Sequence, residues 1–238
     1  MGMIITFFGC MGDVGTSMIA TSCAQDLAGL RQRVLLIYAS SHVGDDYVED
    51  DTRVSIDDLR RSDSISAEAV RAIIVKDTCK FHYIKTVREI TQIKYFDPGV
   101  ITNIVRAVGK EYDFILVDGG CDIQYPLTAS ALMAADKRFF IVTGTMKALR
   151  RFCSVRDVLF IPKGMYEDSH IIINRYDKKQ DAVASSQQIQ QRFGLPCVEV
   201  PSVKGGARAE TDGRTLLGKG CYNQAIRNIT IEIRGRRG

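Results

Sequence analysis

The chain has 238 residues, which is enough for one large α/β domain or two small ones. Its composition, 45% hydrophobic and 25% charged, is ordinary for a globular protein and excludes a disordered or low-complexity chain. A formal net charge of +4 is too small to indicate a nucleic-acid partner by itself, and no apolar run approaches the roughly 18 residues of a membrane-spanning helix.

Short apolar segments predict seven strands, most of them continuously apolar, which is typical of parallel strands covered on both faces. They are Met3–Phe8, Val34–Tyr38, Phe81–Ile84, Phe114–Asp118, Arg138–Thr143, His170–Asn174 and Cys197–Val200. Helical patterns lie between them at Thr16–Ala28, Ala67–Val75, Val100–Val108, Leu127–Ala135, Leu149–Leu159 and Ala182–Phe193. This alternation predicts a single α/β domain over residues 1–233, built on a doubly wound, mostly parallel sheet flanked by helices.

The seven cysteines are scattered singly along the chain, without a Cys-x-x-Cys pair. An odd number without framework spacing indicates reduced thiols, and the N-terminus lacks the basic and apolar segments of a signal peptide. We therefore expect a cytoplasmic protein, either free or peripheral to the membrane or the nucleoid.

The first predicted strand runs into a glycine-containing loop, Gly9–Ser17, and then into the first helix. Backbone N–H groups converge in such a loop, and the helix dipole favours a bound anion. The usual phosphate-binding loop ends in Gly-Lys-[Ser/Thr], whereas here Gly15 is followed by Thr16 and Ser17. The sequence predicts a phosphate site without the loop lysine, and the alternative is a tight strand–helix turn without a ligand.

The strand Phe114–Asp118 ends in a carboxylate. In phosphate-loop nucleotidases a carboxylate near this place holds magnesium together with a loop Ser or Thr, the position that Ser17 occupies. We therefore predict a magnesium site at Ser17 and Asp118. The alternatives are a carboxylate that caps the following turn and an ordinary first-turn serine.

The order of these motifs resembles the ParA/MinD-type P-loop ATPases, the deviant Walker A group of the SIMIBI class. The family's loop, Lys-Gly-Gly-x-Gly-Lys-[Ser/Thr], falls on Met11–Ser17, and its Val-Leu-Leu-Ile-Asp-x-Asp motif falls on Val34–Ser40. Its Asn-Arg, which contacts adenine in many members, falls on Asn174 and Arg175. The resemblance spans nearly the whole chain and implies a ParA/MinD-like fold, ATP or ADP with Mg²⁺, and a homodimer. The nucleotide-contacting residues that it implies are Gly12, Asp13, Val14, Gly15, Thr16, Ser17, Met18, Asn174, Arg175 and Pro201.

The chain departs from the family at charged positions. Met11 replaces the signature lysine that reaches the partner subunit's γ-phosphate, and Thr16 replaces the lysine on the β/γ-phosphates. Tyr38 and Ser40 replace the carboxylates after the second strand, and Asp13 replaces a glycine beside the anion site. Because phosphoryl transfer depends mostly on electrostatic stabilisation, we expect slow or absent hydrolysis and assign no catalytic residue.

The resemblance implies an ATP-binding, dimerising switch protein that positions a cellular assembly. The lysine-poor loop is most similar to the TadZ/CpaE branch, which positions Flp-type pilus secretion machinery. One alternative is an active partition ATPase with a remodelled site. Asp45 and Asp46 are candidates to substitute for Ser40, and the alternative for them is a solvated acidic loop. Another is a scaffold that has lost nucleotide binding, for which Asp13 is the argument.

The C-terminal segment Cys221–Ile233 fits an amphipathic helix, although Ile229–Ile233 also alternates like a strand. The tail Arg234–Gly238 is basic. It predicts weak contact with DNA or an anionic membrane, while the apolar face of the segment before it suggests docking on a protein surface, either its own or a partner's. The resemblance separately implies a protein partner at the cell pole or in secretion or pilus machinery. The alternative is a packing helix with a solvated tail.

Overall fold

The computed structural model describes residues 1–40, 47–48, 52–59, 65–76, 81–177 and 185–235. The candidate carboxylates Asp45 and Asp46, residues 182–184 of a predicted helix, and the tail beyond residue 235 lie outside these ranges.

The described strands form one sheet of eight strands in the order β3-β4-β2-β5-β1-β6-β7-β8. They are β1 (Met3–Gly9), β2 (Val34–Tyr38), β3 (Val75–Lys76), β4 (His82–Ile84), β5 (Phe114–Asp118), β6 (Lys137–Thr143), β7 (Ser169–Tyr176) and β8 (Cys197–Pro201). Only β3 and β4 pair antiparallel. The predicted doubly wound, mostly parallel sheet is confirmed.

Helices cover both faces of the sheet. They are α1 (Thr16–Gly29), α2 (Ala67–Ile73), α3 (Val100–Val108), α4 (Pro126–Ala134), α5 (Met146–Val155), α6 (Ser186–Phe193), α7 (Gly206–Thr211) and α8 (Gly220–Arg234). A π-helical turn, Arg156–Phe160, continues α5, and short 3-10 helices lie at Ile56–Leu59, Ile90–Tyr95 and Gly109–Glu111.

Burial on both faces explains why the strands are continuously apolar. Ile5 and Phe7 of β1 pack on the side of α1 and α8, whereas Ile4 faces the core under α2, α3 and α4. Phe8 packs in a third cluster with residues of α5 and α6. Each fully buried apolar side chain of this kind contributes roughly 1.5–3 kcal/mol to folding, so most strand positions on both faces are apolar.

The C-terminal segment is helical, so its reading as a strand is wrong. Ile226, Ile229 and Ile233 of α8 are each 0% exposed, and they pack in the same cluster as Ile19 and Leu27 of α1. A helix places these three residues on one buried stripe, which a strand could not do.

Strand β3 and helix α7 are not predicted from the sequence. Val75 was predicted as the last residue of a helix, but α2 ends at Ile73 and Val75 begins β3. Helix α7 has no buried residue, so it carries no apolar pattern to detect. Among the described residues, no helix combines the length and the apolar character that crossing a membrane requires.

Candidate functional site

The loop between β1 and α1 is anchored at the carboxyl edge of the sheet. The backbone N–H of Gly9 donates to the carbonyl of Gly120 at 2.8 Å, and that of Cys10 donates to the carbonyl of Ile141 at 2.9 Å. A Cβ on Gly9 would lie 2.5 Å from the hydroxyl oxygen of Thr16, so this position requires glycine. The start of the loop is therefore fixed by strands on both sides of β1.

Two left-handed residues give the loop its curvature. Gly15 has φ 84°, a conformation that favours glycine, and Asp13 has φ 58°, which Asp tolerates better than most residues. Asp13 thus adopts the backbone shape expected of the glycine that it replaces in the family motif. Among the described residues no side chain caps α1, whose first-turn N–H groups point toward this loop.

Asn174 supports the loop from the end of β7. Its side-chain amide donates to the carbonyl of Val14 at 2.7 Å, and the residue is only 6% exposed. A Cβ on Gly15 would lie 2.4 Å from the same amide nitrogen. The resemblance predicts that Asn174 contacts adenine, and the contact that the structure shows is this hydrogen bond to the loop.

The loop forms one wall of a cleft of about 90 Å³. Its lining consists of residues 11–18 together with Ser40, Tyr47, Gly120, Cys121 and Glu210. None of these lining residues is Lys or Arg, so the described part of the cleft offers an anion backbone amides and hydroxyls but no cationic side chain.

A second cavity, of about 380 Å³, adjoins the first and shares Gly15, Met18, Tyr47 and Glu210 with it. The rest of its lining comes from the ends of β7 and β8, from α7 and from the start of α8: Asn174, Arg175, Pro201, Ser202, Val203, Gly205, Gly206, Ala207, Leu216 and Tyr222. Its volume is within the range of small-molecule sites, roughly 300–1,000 Å³. All ten residues predicted to contact nucleotide therefore line these two adjoining cavities.

Several residues of the second cavity are not among the predicted nucleotide contacts. Tyr47, Leu216 and Tyr222 bring aromatic and aliphatic surface to it from three separate parts of the chain. The hydroxyl groups of Tyr222 and Ser22 lie 2.9 Å apart, which ties the start of α8 to α1. Leu216 ends an Ala-x-x-x-Gly-[Lys/Arg]-x-Leu segment that resembles the family's, whereas no local motif marks Tyr47 or Tyr222, which only the fold brings to the cavity.

Arg175 and Glu210 face each other at this cavity. Arg175 has a left-handed backbone, φ 56°, where the register of β7 and β8 is irregular. Its guanidinium lies 3.5 Å from the Glu210 carboxylate, with both side chains about half exposed. Such an exposed pair contributes little to stability, so it can exchange for a bound ligand at small cost.

The two residues predicted to bind magnesium lie at the same edge of the sheet but differ in accessibility. Ser17 lines the cleft, whereas Asp118 is 0% exposed and accepts a hydrogen bond from the backbone N–H of Gly120 at 3.1 Å. Within the described ranges, no group of three or more His, Cys, Asp or Glu side chains could hold a metal. A magnesium ion here would depend on Ser17, Asp118, phosphate oxygens and water, the mixed ligand set that Mg²⁺ commonly adopts.

The residues that replace the family's charged groups are mostly packed into the core. Met11 packs against two hydrophobic clusters, and Thr16 is 8% exposed with its hydroxyl next to Gly9. Tyr38 is 2% exposed, and its hydroxyl lies 2.9 Å from that of Thr21. Met11, Thr16 and Ser40 also line the cleft, Ser40 with 4% exposure.

Two thiols flank the loop. Cys10 stands where the usual motif has its first glycine, a substitution that sequence analysis overlooked, and burial raises the pKa of its thiol. Cys121 lines the cleft, and its pKa is raised by burial and by the carboxylates of Asp122, Asp118 and Asp13. Both thiols are therefore protonated and weakly nucleophilic at neutral pH.

The sequence matches no family model and no curated protein. Its structure is similar to a ParA family ATPase from Chlorobium tepidum TLS, with 19% identity, a TM-score of 0.82, and 97% of this chain and 99% of that chain covered. It is also similar to the septum site-determining protein MinD of Pyrococcus horikoshii OT3 complexed with Mg-ADP, with 16% identity, a TM-score of 0.81, and coverage of 98% and 96%. A third similar structure is the MinC:MinD cell division protein complex of Aquifex aeolicus, with 20% identity, a TM-score of 0.80, and coverage of 100% and 98%. The chain therefore has the fold of the ParA/MinD-type P-loop ATPases over nearly its entire length.

Proposed function

We propose that this protein binds ATP or ADP with Mg²⁺ at the β1–α1 loop and acts as a nucleotide-dependent positioning switch with little or no hydrolysis. The observation that carries the proposal is the shape of the loop. Gly15 and Asp13 take the left-handed conformations that turn the loop, and Asn174 fixes it by its bond to Val14. A loop held in this way presents its backbone amides to an anion without the cost of ordering them on binding.

The second cavity supports a nucleotide rather than a simple phosphate as the ligand. It begins at Gly15 and Met18, beside the proposed phosphate position, and continues to Tyr222 and Leu216. Apolar and aromatic surface beside a polar anion site suits a purine and its ribose. Asn174, Arg175 and Pro201 are the residues proposed to contact the nucleoside.

We expect slow hydrolysis because the residues that line the cleft include neither lysine of the family motif. Loss of a single positioned donor costs roughly 3–4 kcal/mol of transition-state stabilisation, or 10²–10³ in rate. Here Met11 and Thr16 replace two lysines of the family motif, and both are packed against the protein itself. We expect an unstimulated turnover far below the roughly 1–10³ s⁻¹ of typical enzymes. Phosphate release within that range would favour the alternative of an active partition ATPase.

Calorimetric titration with Mg-ATP, Mg-ADP and metal-free ATP tests nucleotide binding. We expect binding that Mg²⁺ strengthens, and a Ser17→Ala variant should lose most of the magnesium effect. Ser154→Ala, an exposed serine on α5, is the matched control and should behave like the parent protein. A folded protein that shows no binding at millimolar nucleotide would support the alternative of a nucleotide-free scaffold, which the Asp13 carboxylate favours.

A positioning role requires that nucleotide change the assembly state. In the family, two subunits face each other with nucleotides between them, and a switch of this kind needs different binding energies in its two states rather than fast catalysis. We therefore propose a homodimer whose formation depends on Mg-ATP, with a protein partner in pilus or secretion machinery of the TadZ/CpaE type. Sedimentation velocity with Mg-ATP, with Mg-ADP and without nucleotide tests the first step, and a sedimentation coefficient unchanged by nucleotide would argue against it.

A further inference from the structure

Helix α5 and the π-helical turn that follows it expose aliphatic side chains. Val158 is 79% exposed and Ile161 is 53% exposed, whereas Phe152 and Phe160 of the same segment are fully buried against the sheet. Met146, the first residue of α5, is 42% exposed. The segment is thus held by one buried face while it presents apolar groups away from the protein. We call residues 146–163 the α5 surface.

The α5 surface is also strongly basic. It contains five basic residues and one acidic residue, so its formal charge of +4 equals that of the whole chain. Lys147, Arg150, Arg151 and Lys163 are exposed. The fifth, Arg156, is engaged by Asp157 at 2.6 Å, which leaves the other four to define the charge presented to a partner.

We propose that the α5 surface binds an anionic phospholipid membrane. Val158 and Ile161 enter the boundary between headgroups and acyl chains, and the exposed cations meet the lipid phosphates. Aliphatic side chains flanked by Lys and Arg are the combination that interfacial membrane contacts use. Nucleic acid would account for the cations but leave the two aliphatic residues exposed to a charged backbone. π-Helical turns occur frequently at functional sites, which agrees with a functional role for this segment.

The α5 surface adjoins the nucleotide site. Phe152 and Leu149 of α5 pack in the same cluster as Cys10 and Met11 of the β1–α1 loop. The α5 surface and the β1–α1 loop therefore pack on one hydrophobic cluster. The proposal nevertheless does not depend on nucleotide binding, because the surface is exposed in the structure as described.

Co-sedimentation with vesicles tests the proposal on the full-length protein without nucleotide. We expect binding to mixed phosphatidylcholine and phosphatidylglycerol vesicles and none to phosphatidylcholine alone. Each cation near an anionic surface contributes about fivefold in affinity, so Lys147→Gln with Arg150→Gln should weaken binding about 25-fold. The control is Arg106→Gln with Lys110→Gln, which removes two exposed charges from the α3 region and should change affinity by less than about threefold.

The aliphatic contribution needs its own variant. Val158→Asp with Ile161→Asp should reduce vesicle binding about tenfold or more, since it removes two inserting side chains and adds charge. Leu30→Asp with Tyr95→Asp adds the same charge at exposed apolar positions elsewhere and should have a much smaller effect. Circular dichroism and thermal unfolding confirm that each variant is folded.

Three results would overturn the proposal. The first is no binding of the parent protein to anionic vesicles at low salt. The second is vesicle binding that both α5 variants leave unchanged, which would place the contact elsewhere. The third is equal loss in the aspartate variant and its Leu30/Tyr95 control, which would show that the two aliphatic side chains do not insert. If duplex DNA then binds strongly in fluorescence anisotropy and Lys147→Gln with Arg150→Gln weakens that binding, the α5 surface is a nucleic-acid site instead.

Discussion

The contact between Asn174 and the β1–α1 loop predicts that substitutions at Asn174 and Gly15 have coupled effects on the free energy of unfolding. Asn174→Ala removes the amide that donates to Val14 at 2.7 Å and leaves that carbonyl, in a residue only 2% exposed, without its partner. An unsatisfied buried acceptor of this kind costs about 1–3 kcal/mol. We expect the free energy of unfolding, measured by urea denaturation, to fall by that amount. Asn228→Ala, an exposed residue of α8, is the control and should change it by less than about 0.5 kcal/mol.

Gly15→Ala should cost stability for two reasons. Its left-handed backbone penalises a Cβ by roughly 1–2 kcal/mol. The added Cβ would also lie 2.4 Å from the Asn174 amide nitrogen and displace the side chain from Val14. In an Asn174→Ala background, Gly15→Ala costs only the strain of a Cβ on a left-handed backbone, because the hydrogen bond to Val14 is already absent. The double variant should therefore be more stable than the sum of the two single costs predicts, by about 1–3 kcal/mol. Each single variant should also weaken Mg-ATP binding about tenfold or more, since a displaced loop misaligns its amides. Additive costs, or an Asn174→Ala variant with unchanged stability and ATP affinity, would refute this account of the loop.

Three further predictions concern charge. Asp13→Asn keeps a residue that tolerates the left-handed backbone but removes a carboxylate from the cleft. Calorimetry should therefore show Mg-ATP binding at least about fivefold tighter, as expected when about 1 kcal/mol of charge repulsion is relieved. Unchanged affinity would contradict this prediction. Thr16→Lys should also tighten Mg-ATP binding by restoring a cation, and it should do so more strongly together with Asp13→Asn than alone. Burial is the main cause that lowers the pKa of His170, and the charge of Lys137 is the second. Below about pH 6.5 the unfolded chain therefore takes up a proton that the folded chain does not, and the free energy of unfolding falls. His170→Gln should reduce this loss between about pH 7 and pH 5.5 in urea denaturation, and an unaltered pH profile would assign the loss to other groups.

The sheet could be predicted from the sequence because burial on both faces makes most of its strands apolar throughout. Val34–Tyr38 and Phe114–Asp118 were predicted with the bounds that the structure has, since strands covered on both faces must be apolar throughout. The antiparallel strand β3 has two residues, one of them lysine, and leaves no such signal. Helix α8 was ambiguous because its apolar spacing satisfied two periodicities until the packing on α1 decided between them.

At the candidate site, the local motif could be predicted and the tertiary contacts could not. The loop follows β1, and Asn174, Arg175 and Pro201 lie at the carboxyl ends of β7 and β8, so the rule that ligands bind at this edge of the sheet places them together. The hydrogen bond from Asn174 to Val14 joins residues 160 positions apart, and no spacing rule predicts it. Tyr38 was noted only as a missing carboxylate, although the structure packs it in the core beside Thr21.

The central claim is that the β1–α1 loop holds a nucleotide by its backbone, and a crystal structure with Mg-ATP tests it most directly. We predict phosphate oxygens within hydrogen-bonding distance of the amides between Gly12 and Ser17, magnesium between Ser17 and Asp118, and the adenine in the cavity beside Pro201 and Tyr222. A folded protein that leaves this cleft empty at millimolar Mg-ATP, or binds the nucleotide elsewhere, would contradict the claim.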